Sequence, residues 1–149
     1  MRKRRWRLSM LAVVAALAAG VLLAACGDDD DDGGGGGGGG GGGSGSIAWL
    51  LPESKTARYE SQDNPNFQKK VKELCSGCEI LYSNADQDAA KQQQQAEAAI
   101  TKGAKVMVLD PVDAASAGAI VTRAKQSNIP VVSYDRLITD ADIDYYISF

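Results

Sequence analysis

From residue 47 onward, short apolar runs alternate with longer stretches in which apolar residues recur every three or four positions. This is the pattern of strand-helix-strand units built into a parallel sheet. The first run, Ile47-Ala48-Trp49-Leu50-Leu51, is stopped by Pro52. A polar loop through Arg58 and Tyr59 leads into a predicted helix whose Phe67, Val71 and Leu74 fall at i, i+4 and i+7, one face toward the sheet. Glu79-Ile80-Leu81-Tyr82 reads as the second strand. A helix over 85–102 follows, with Asn84 as its cap, Ala89, Ala96, Ala99 and Ile100 as its apolar face and Gly103 as its stop. Residues 105–109 make a third strand closed by Asp110-Pro111, and a helix from Val112-Asp113 to about Ser127 carries Ile120, Val121 and Ala124. Residues 129–134 form the fourth strand, and Tyr145-Tyr146-Ile147-Ser148-Phe149 is a fifth apolar run that reaches the last residue. The expected fold is α/β, a Rossmann-like parallel sheet with helices on both faces. An ending inside an element marks the chain as an expected amino-terminal fragment.

Ahead of this pattern the chain has a different character. Met1-Arg2-Lys3-Arg4-Arg5-Trp6-Arg7 is a basic leader, and residues 8–23 form an apolar stretch ending in Leu23-Ala24-Ala25-Cys26. The last four residues have the form of a bacterial lipobox, in which cleavage before Cys26 leaves a thiol for diacylation and turns Cys26 into a lipid anchor. The alternative is an uncleaved transmembrane helix, for which the stretch is short against the ~20 apolar residues usually needed. Five aspartates at 28–32 and glycines at 33–43 cannot bury apolar surface or hold a fixed backbone. The expected division is therefore a lipoprotein signal peptide over 1–25, a flexible tether over 26–46 and a folded lobe over 47–149.

Charge changes the picture once these segments are separated. The leader holds five of the 16 basic groups and the tether five of the 19 acidic ones, so the lobe keeps the net −3 of the whole chain without a clustered basic stripe. Nucleic-acid binding has no electrostatic footprint here. No G-x-x-x-x-G-K-[ST] occurs, and no strand and helix are expected to flank the glycine run, so nucleotide chemistry and cofactor binding lack their motifs.

Cys75-Ser76-Gly77-Cys78 reads as a redox dithiol, half a zinc site or a short disulfide. Zinc lacks the remaining ligands, since the chain has no His and no second cysteine pair. A redox site is expected to open a helix after a strand, whereas this pair follows a helix. The favoured reading is a structural disulfide that closes a turn and persists outside the cytoplasm. Asp140, Asp142 and Asp144 alternate with apolar residues but lack the glycine and glutamate positions of a calcium loop.

The densest candidate chemistry is Tyr134-Asp135-Arg136 at the carboxyl end of the fourth strand. In open α/β sheets that edge is where loops turn polar groups toward a shared crevice. A carboxylate that accepts and a guanidinium that donates a planar fork suit the neighbouring hydroxyls of a polyol. An ordinary surface ion pair is the bland competitor.

Tyr134-Asp135-Arg136-Leu137-Ile138, continued by Asp140-Ala141-Asp142-Ile143-Asp144-Tyr145-Tyr146-Ile147-Ser148-Phe149, closely resembles a segment of the periplasmic sugar-binding proteins of ABC importers. The likeness is to the xylose-binding branch of the ribose/galactose-type family and spans residues 47–149, with looser agreement at Asn84-Ala85-Asp86, 92–97 and Val108-Leu109-Asp110-Pro111. It implies two lobes closing on a monosaccharide, with Asp135 and Arg136 hydrogen-bonding its hydroxyls, Arg58 donating to it and Tyr59 stacking on its C–H face. This sequence has Tyr59 where the xylose-binding pattern has Trp, and Pro52-Glu53 where that pattern has acidic residues. Residues 92–95 are expected to form a solvated face with contacts to the second lobe. The implied partners are the sugar, an ABC permease and, through Cys26, the membrane, with the protein an exported, lipid-anchored monomer on the outer face of the cell membrane or in the periplasm. No reaction, cofactor or metal is implied. A sugar-sensing receptor of the same fold and a tethered thiol oxidoreductase using Cys75 and Cys78 are the competing functions.

Overall fold

The computed structural model describes residues 44–149, so the leader, Cys26 and most of the tether lie outside the described residues. Five parallel strands form one sheet in the order β2-β1-β3-β4-β5: β1 Ser44–Leu51, β2 Gly77–Asn84, β3 Ala104–Leu109, β4 Val131–Tyr134 and β5 Tyr145–Ile147. Strand β1 begins three residues inside the segment read as tether, because Ser44, Gly45 and Ser46 pair in register with Gly77, Cys78 and Glu79. Polar residues give no apolar signal, and backbone pairing alone extends the strand.

Side chains alternate across β1, and the two faces are built differently. Ala48 and Leu50 point into a core with Met107, Leu109 and Val131 that is covered by α2 (Ala89–Thr101) and α3 (Ala117–Gln126) through Ala96, Ala99, Ile120, Val121 and Ala124. Trp49 and Leu51 point the other way, joining Tyr59 and Val108, with Phe67 of α1 (Asn64–Leu74) packed against them. Trp49 is fully buried, stacks on Phe67 with centroids 4.4 Å apart and meets Tyr134 edge-on at 4.9 Å. Its indole N–H donates to Asn64 Oδ1 at 3.2 Å.

Two local expectations differ. Leu74 is 73 % exposed rather than sheet-facing, because it ends α1 immediately before the turn into β2. Asn84 does not cap a helix: it ends β2, and Asp86 and Gln87 take positive φ before Asp88 caps α2 by accepting from Lys91 N–H at 3.0 Å. Asp144 holds the start of β4, accepting from Val131 N–H and from Lys125 Nζ, each at 2.7 Å. Cys75 and Cys78 lie at bonding distance with Cα atoms 5.3 Å apart, Cys75 capping α1 and Cys78 in β2 opposite Gly45. That places the pair at the amino edge of the sheet, away from the strands' carboxyl ends. Among the described residues no helix is long and apolar enough to cross a membrane.

The winding direction reverses at β1. The chain steps outward to β2 by way of α1 on one face, then returns past β1 to β3 and β4 by way of α2 and α3 on the other. Loops leaving adjacent strands β1 and β3 therefore part toward opposite faces and open a crevice between them, the usual place for a ligand in an open α/β sheet.

Candidate functional site

Loops from the carboxyl ends of β1, β3 and β4 deliver their side chains to this crevice. After β1, Pro52 and Glu53 are buried and the chain enters a π turn, Tyr59–Asp63, that runs straight into α1. Arg58 and Tyr59 thus sit on the first turn of a helix, not in the polar loop that the sequence suggests. Such widened turns are rare and carry no periodic signal, but they recur at functional sites.

The Arg58 guanidinium meets Asp135 (Nη2 to Oδ2, 2.7 Å) and Asp63 (Nε to Oδ2, 3.0 Å). The Tyr59 hydroxyl donates to the same Asp135 oxygen at 2.7 Å. Burial alone raises the Asp135 carboxyl, but the hydrogen bonds from Arg58 and Tyr59 outweigh it and hold Asp135 below the usual carboxylate range. In return the bond to Asp135 holds Arg58 more firmly protonated, while burial and then that bond push the Tyr59 phenol upward.

Asp135 and Arg136 do not pair with each other. Asp135 has φ 60°, a left-handed conformation that Asp tolerates better than most residues, and its N–H donates to Ile147 O at 2.8 Å. The two side chains consequently go to different partners. Arg136 turns inward, donating from Nη1 to Pro111 O at 3.1 Å, with Nε 3.7 Å from Asp110 Oδ1 and Nη2 3.9 Å from Glu53 Oε1. The loop itself is pinned by buried Ser133, whose hydroxyl donates to Arg136 O at 2.7 Å and accepts from Ile138 N–H at 3.0 Å.

Two layers result. Arg58, Asp135 and Arg136 reach solvent, their side chains 38 %, 22 % and 40 % exposed, and offer two donor forks and one acceptor. Beneath them Glu53, Tyr59 and Asp110 are buried. Tyr59 is 2 % exposed, so its ring is not an open platform for a sugar face; Arg58 and Arg136 flank it with guanidinium carbons 5.2 and 5.8 Å from its centroid. The π turn drives the ring into the Trp49 cluster and leaves only the hydroxyl for the site.

Glu53, Asp110 and Ser133 escape the sequence reading. Glu53 accepts from the Thr56 hydroxyl and from the N–H groups of Thr56 (3.0 Å) and Lys55 (2.5 Å), bonds that hold it below the usual range despite burial. It therefore fixes the loop that carries Arg58 and Tyr59. Asp110 carries the same sequence signal as Asp135, an acid directly after an apolar run. Gln92, expected on a solvated face, is 1 % exposed and clamps the loop after β3, donating to Asp110 O at 2.8 Å and accepting from Val112 N–H at 2.9 Å.

The family model described as periplasmic binding protein domain matches residues 47–149. The chain belongs to that family. It is 39 % identical over 103 residues to the D-xylose-binding periplasmic protein of Escherichia coli, covering 69 % of this chain and 30 % of that protein. It is 31 % identical over 106 residues to a multiple sugar-binding periplasmic receptor of Rhizobium radiobacter, covering 70 % and 29 %. An ABC transporter solute binding protein from Clostridium phytofermentans, solved with bound β-D-glucose, superposes with a TM-score of 0.65 at 31 % identity, over 70 % of this chain and 32 % of that one. The chain thus spans about 30 % of the length of the proteins it matches. Family and parallel five-stranded fold agree with the expectation drawn from Tyr134-Asp135-Arg136 and the strand order.

Proposed function

We propose that this chain supplies the amino-terminal half of a monosaccharide site in a solute-binding lipoprotein of an ABC importer, with xylose or a related sugar as ligand. The observation that carries this reading is the exposed layer of Arg58, Asp135 and Arg136 over a buried support of Glu53, Tyr59 and Asp110. Two planar donor forks and a carboxylate acceptor within one crevice match vicinal hydroxyls, each of which donates and accepts. The kinship to a xylose-binding protein supports the choice of sugar. In this reading Arg58 and Arg136 donate to the sugar, Asp135 accepts from it, and Tyr59 acts by orienting Asp135. A second lobe closes over the ligand, and the closed form docks on the permease. No bond is made or broken.

Cys26 tethers the protein by its lipid, and Cys75 and Cys78 form a disulfide that stabilises the turn between α1 and β2 by roughly 2 kcal/mol. Labelled fatty acid supplied to an expressing bacterium enters the wild-type chain and not Cys26→Ser. Isothermal calorimetry of the complete protein against pentoses and hexoses tests the ligand. Saturable binding of at least one is expected, and heat from none of them removes the reading.

A further inference from the structure

The site holds more acid than its cations can neutralise. Asp110 is fully buried at the end of β3, and both its carboxylate oxygens lack a hydrogen-bond partner among the described residues. The Tyr59 hydroxyl has one proton to give and spends it on Asp135. The ion pairs of Arg58 are with Asp135 and Asp63 rather than with Asp110. That leaves Arg136, which is 3.7 Å away and shared with Glu53 and Pro111 O. Four carboxylates, Glu53, Asp63, Asp110 and Asp135, thus compete for two guanidinium groups. Glu53 has donors from Thr56 and Lys55, and Asp135 from Arg58 and Tyr59, so both keep their charge. The acid without donors is the one that retains a proton.

We infer that Asp110 is a proton-carrying positioning residue: with its proton on, Arg136 is released toward the ligand, and with its proton off, Arg136 is drawn down onto Asp110 and away from it. The groups facing Asp110 are Arg136 and Asp135 from the loop after β4, Arg58 just before the π turn and Tyr59 at its start, and Glu53 after β1 through Arg136. Burial lifts the Asp110 carboxyl to about 7, the pull of Arg136 offsetting only part of the rise and the Asp135 charge adding to it. Ligand covering the crevice expels water and favours the neutral form further. Binding is then coupled to proton uptake, and affinity falls as pH rises through neutrality. The inference rests on the sugar reading for its effect on affinity, but not for the state of Asp110.

The test begins without ligand, on the complete protein carrying labelled aspartate and arginine. One aspartate Cγ signal titrates near neutral pH, disappears in Asp110→Asn, and the Arg136 guanidinium signals move with the same midpoint. Should Asp110→Asn fail to fold, Asp110→Ser serves for the assignment. A site carboxyl that is ionised throughout from pH 5 upward, or Arg136 signals indifferent to its titration, overturns the inference. With a sugar that binds, the wild-type affinity drops by roughly three- to tenfold per pH unit above neutrality, and Asp110→Asn loses that slope. An equal slope in both proteins also overturns it. A titrating Asp110 that moves Arg136, in a protein that takes up no sugar, supports the inference and sinks the sugar reading instead.

Discussion

The two faces of the sheet solve the burial problem in opposite ways. Under α2 and α3 the interior is aliphatic and small, with Ala96, Ala99, Ala117 and Ala124 letting two helices close on Leu50, Met107, Leu109 and Val131. Under α1 it is aromatic, with Trp49, Phe67, Tyr59 and Tyr134, and it grades directly into the charged crevice. The first face buries few polar groups, chiefly Gln92 and Ser133, and each is hydrogen-bonded to the loop it pins. The second must keep a hydroxyl, an indole N–H and several carboxylates satisfied, and it leaves one carboxylate unsatisfied. The candidate site lies where the packing rules are relaxed, at a cost in stability.

The largest effect is expected from Trp49→Ala, which removes the ring on which Phe67 and Tyr134 pack. Chemical denaturation should show a loss of about 3–5 kcal/mol. The matched change on the other face, Ile120→Ala, should cost about 2–4 kcal/mol. It should leave the crevice intact, whereas Trp49→Ala should perturb the Arg58 and Asp135 signals as well. If both variants disturb the crevice equally, the faces are not independent.

Next in size is the pH dependence of stability. Asp110 has a folded value near 7 against an ordinary 3.8. The unfolded chain releases this proton first, so folding loses stability as pH climbs through that window and levels off above it. Asp110→Asn should flatten this contribution and stabilise the protein at pH 8 by about 1–3 kcal/mol. Measured unfolding free energies of the two proteins at pH 4 and pH 8 decide it, and an identical pH dependence contradicts the assignment.

Ser133→Ala follows, at about 1–3 kcal/mol, because the buried Ile138 N–H loses its acceptor and the loop bearing Asp135 and Arg136 is released. The smallest change is Asp88→Ala, which removes the cap of α2 for about 1 kcal/mol and belongs wholly to the aliphatic face. Thermal unfolding of the pair reads both.

The difference between the faces also explains what was legible in the sequence. Strands β1 and β3 announce themselves as apolar runs because a parallel strand buried on both sides needs no alternation, and the half-buried edge strand β2 still shows through Ile80-Leu81-Tyr82. Asp135 and Arg136 stand out because the strand before them is unmistakable. Their divergence does not, since it depends on a left-handed turn at Asp135 that a non-glycine residue conceals. Asn84 misleads for a related reason: two successive positive-φ residues, Asp86 and Gln87, postpone the helix to Asp88. Arg58 and Tyr59 look like loop because a π turn has no stripe. Gln92 looks solvated because only the fold brings the loop after β3 over it. Spacing reports the near neighbours of a residue, and the crevice is made of distant ones.

The central claim is that Arg136 binds ligand while balancing the buried acids below it. Calorimetry on the complete protein with a sugar that binds, comparing wild type with Arg136→Ala and Arg136→Lys, tests it most directly. Removing the guanidinium leaves Asp110 and Glu53 without their shared cation and the sugar hydroxyls without a donor. The expected loss for Arg136→Ala is about 2–4 kcal/mol, or roughly 30- to 1000-fold in affinity, with only partial recovery in Arg136→Lys, which lacks the planar fork. Unchanged binding in both variants contradicts the account.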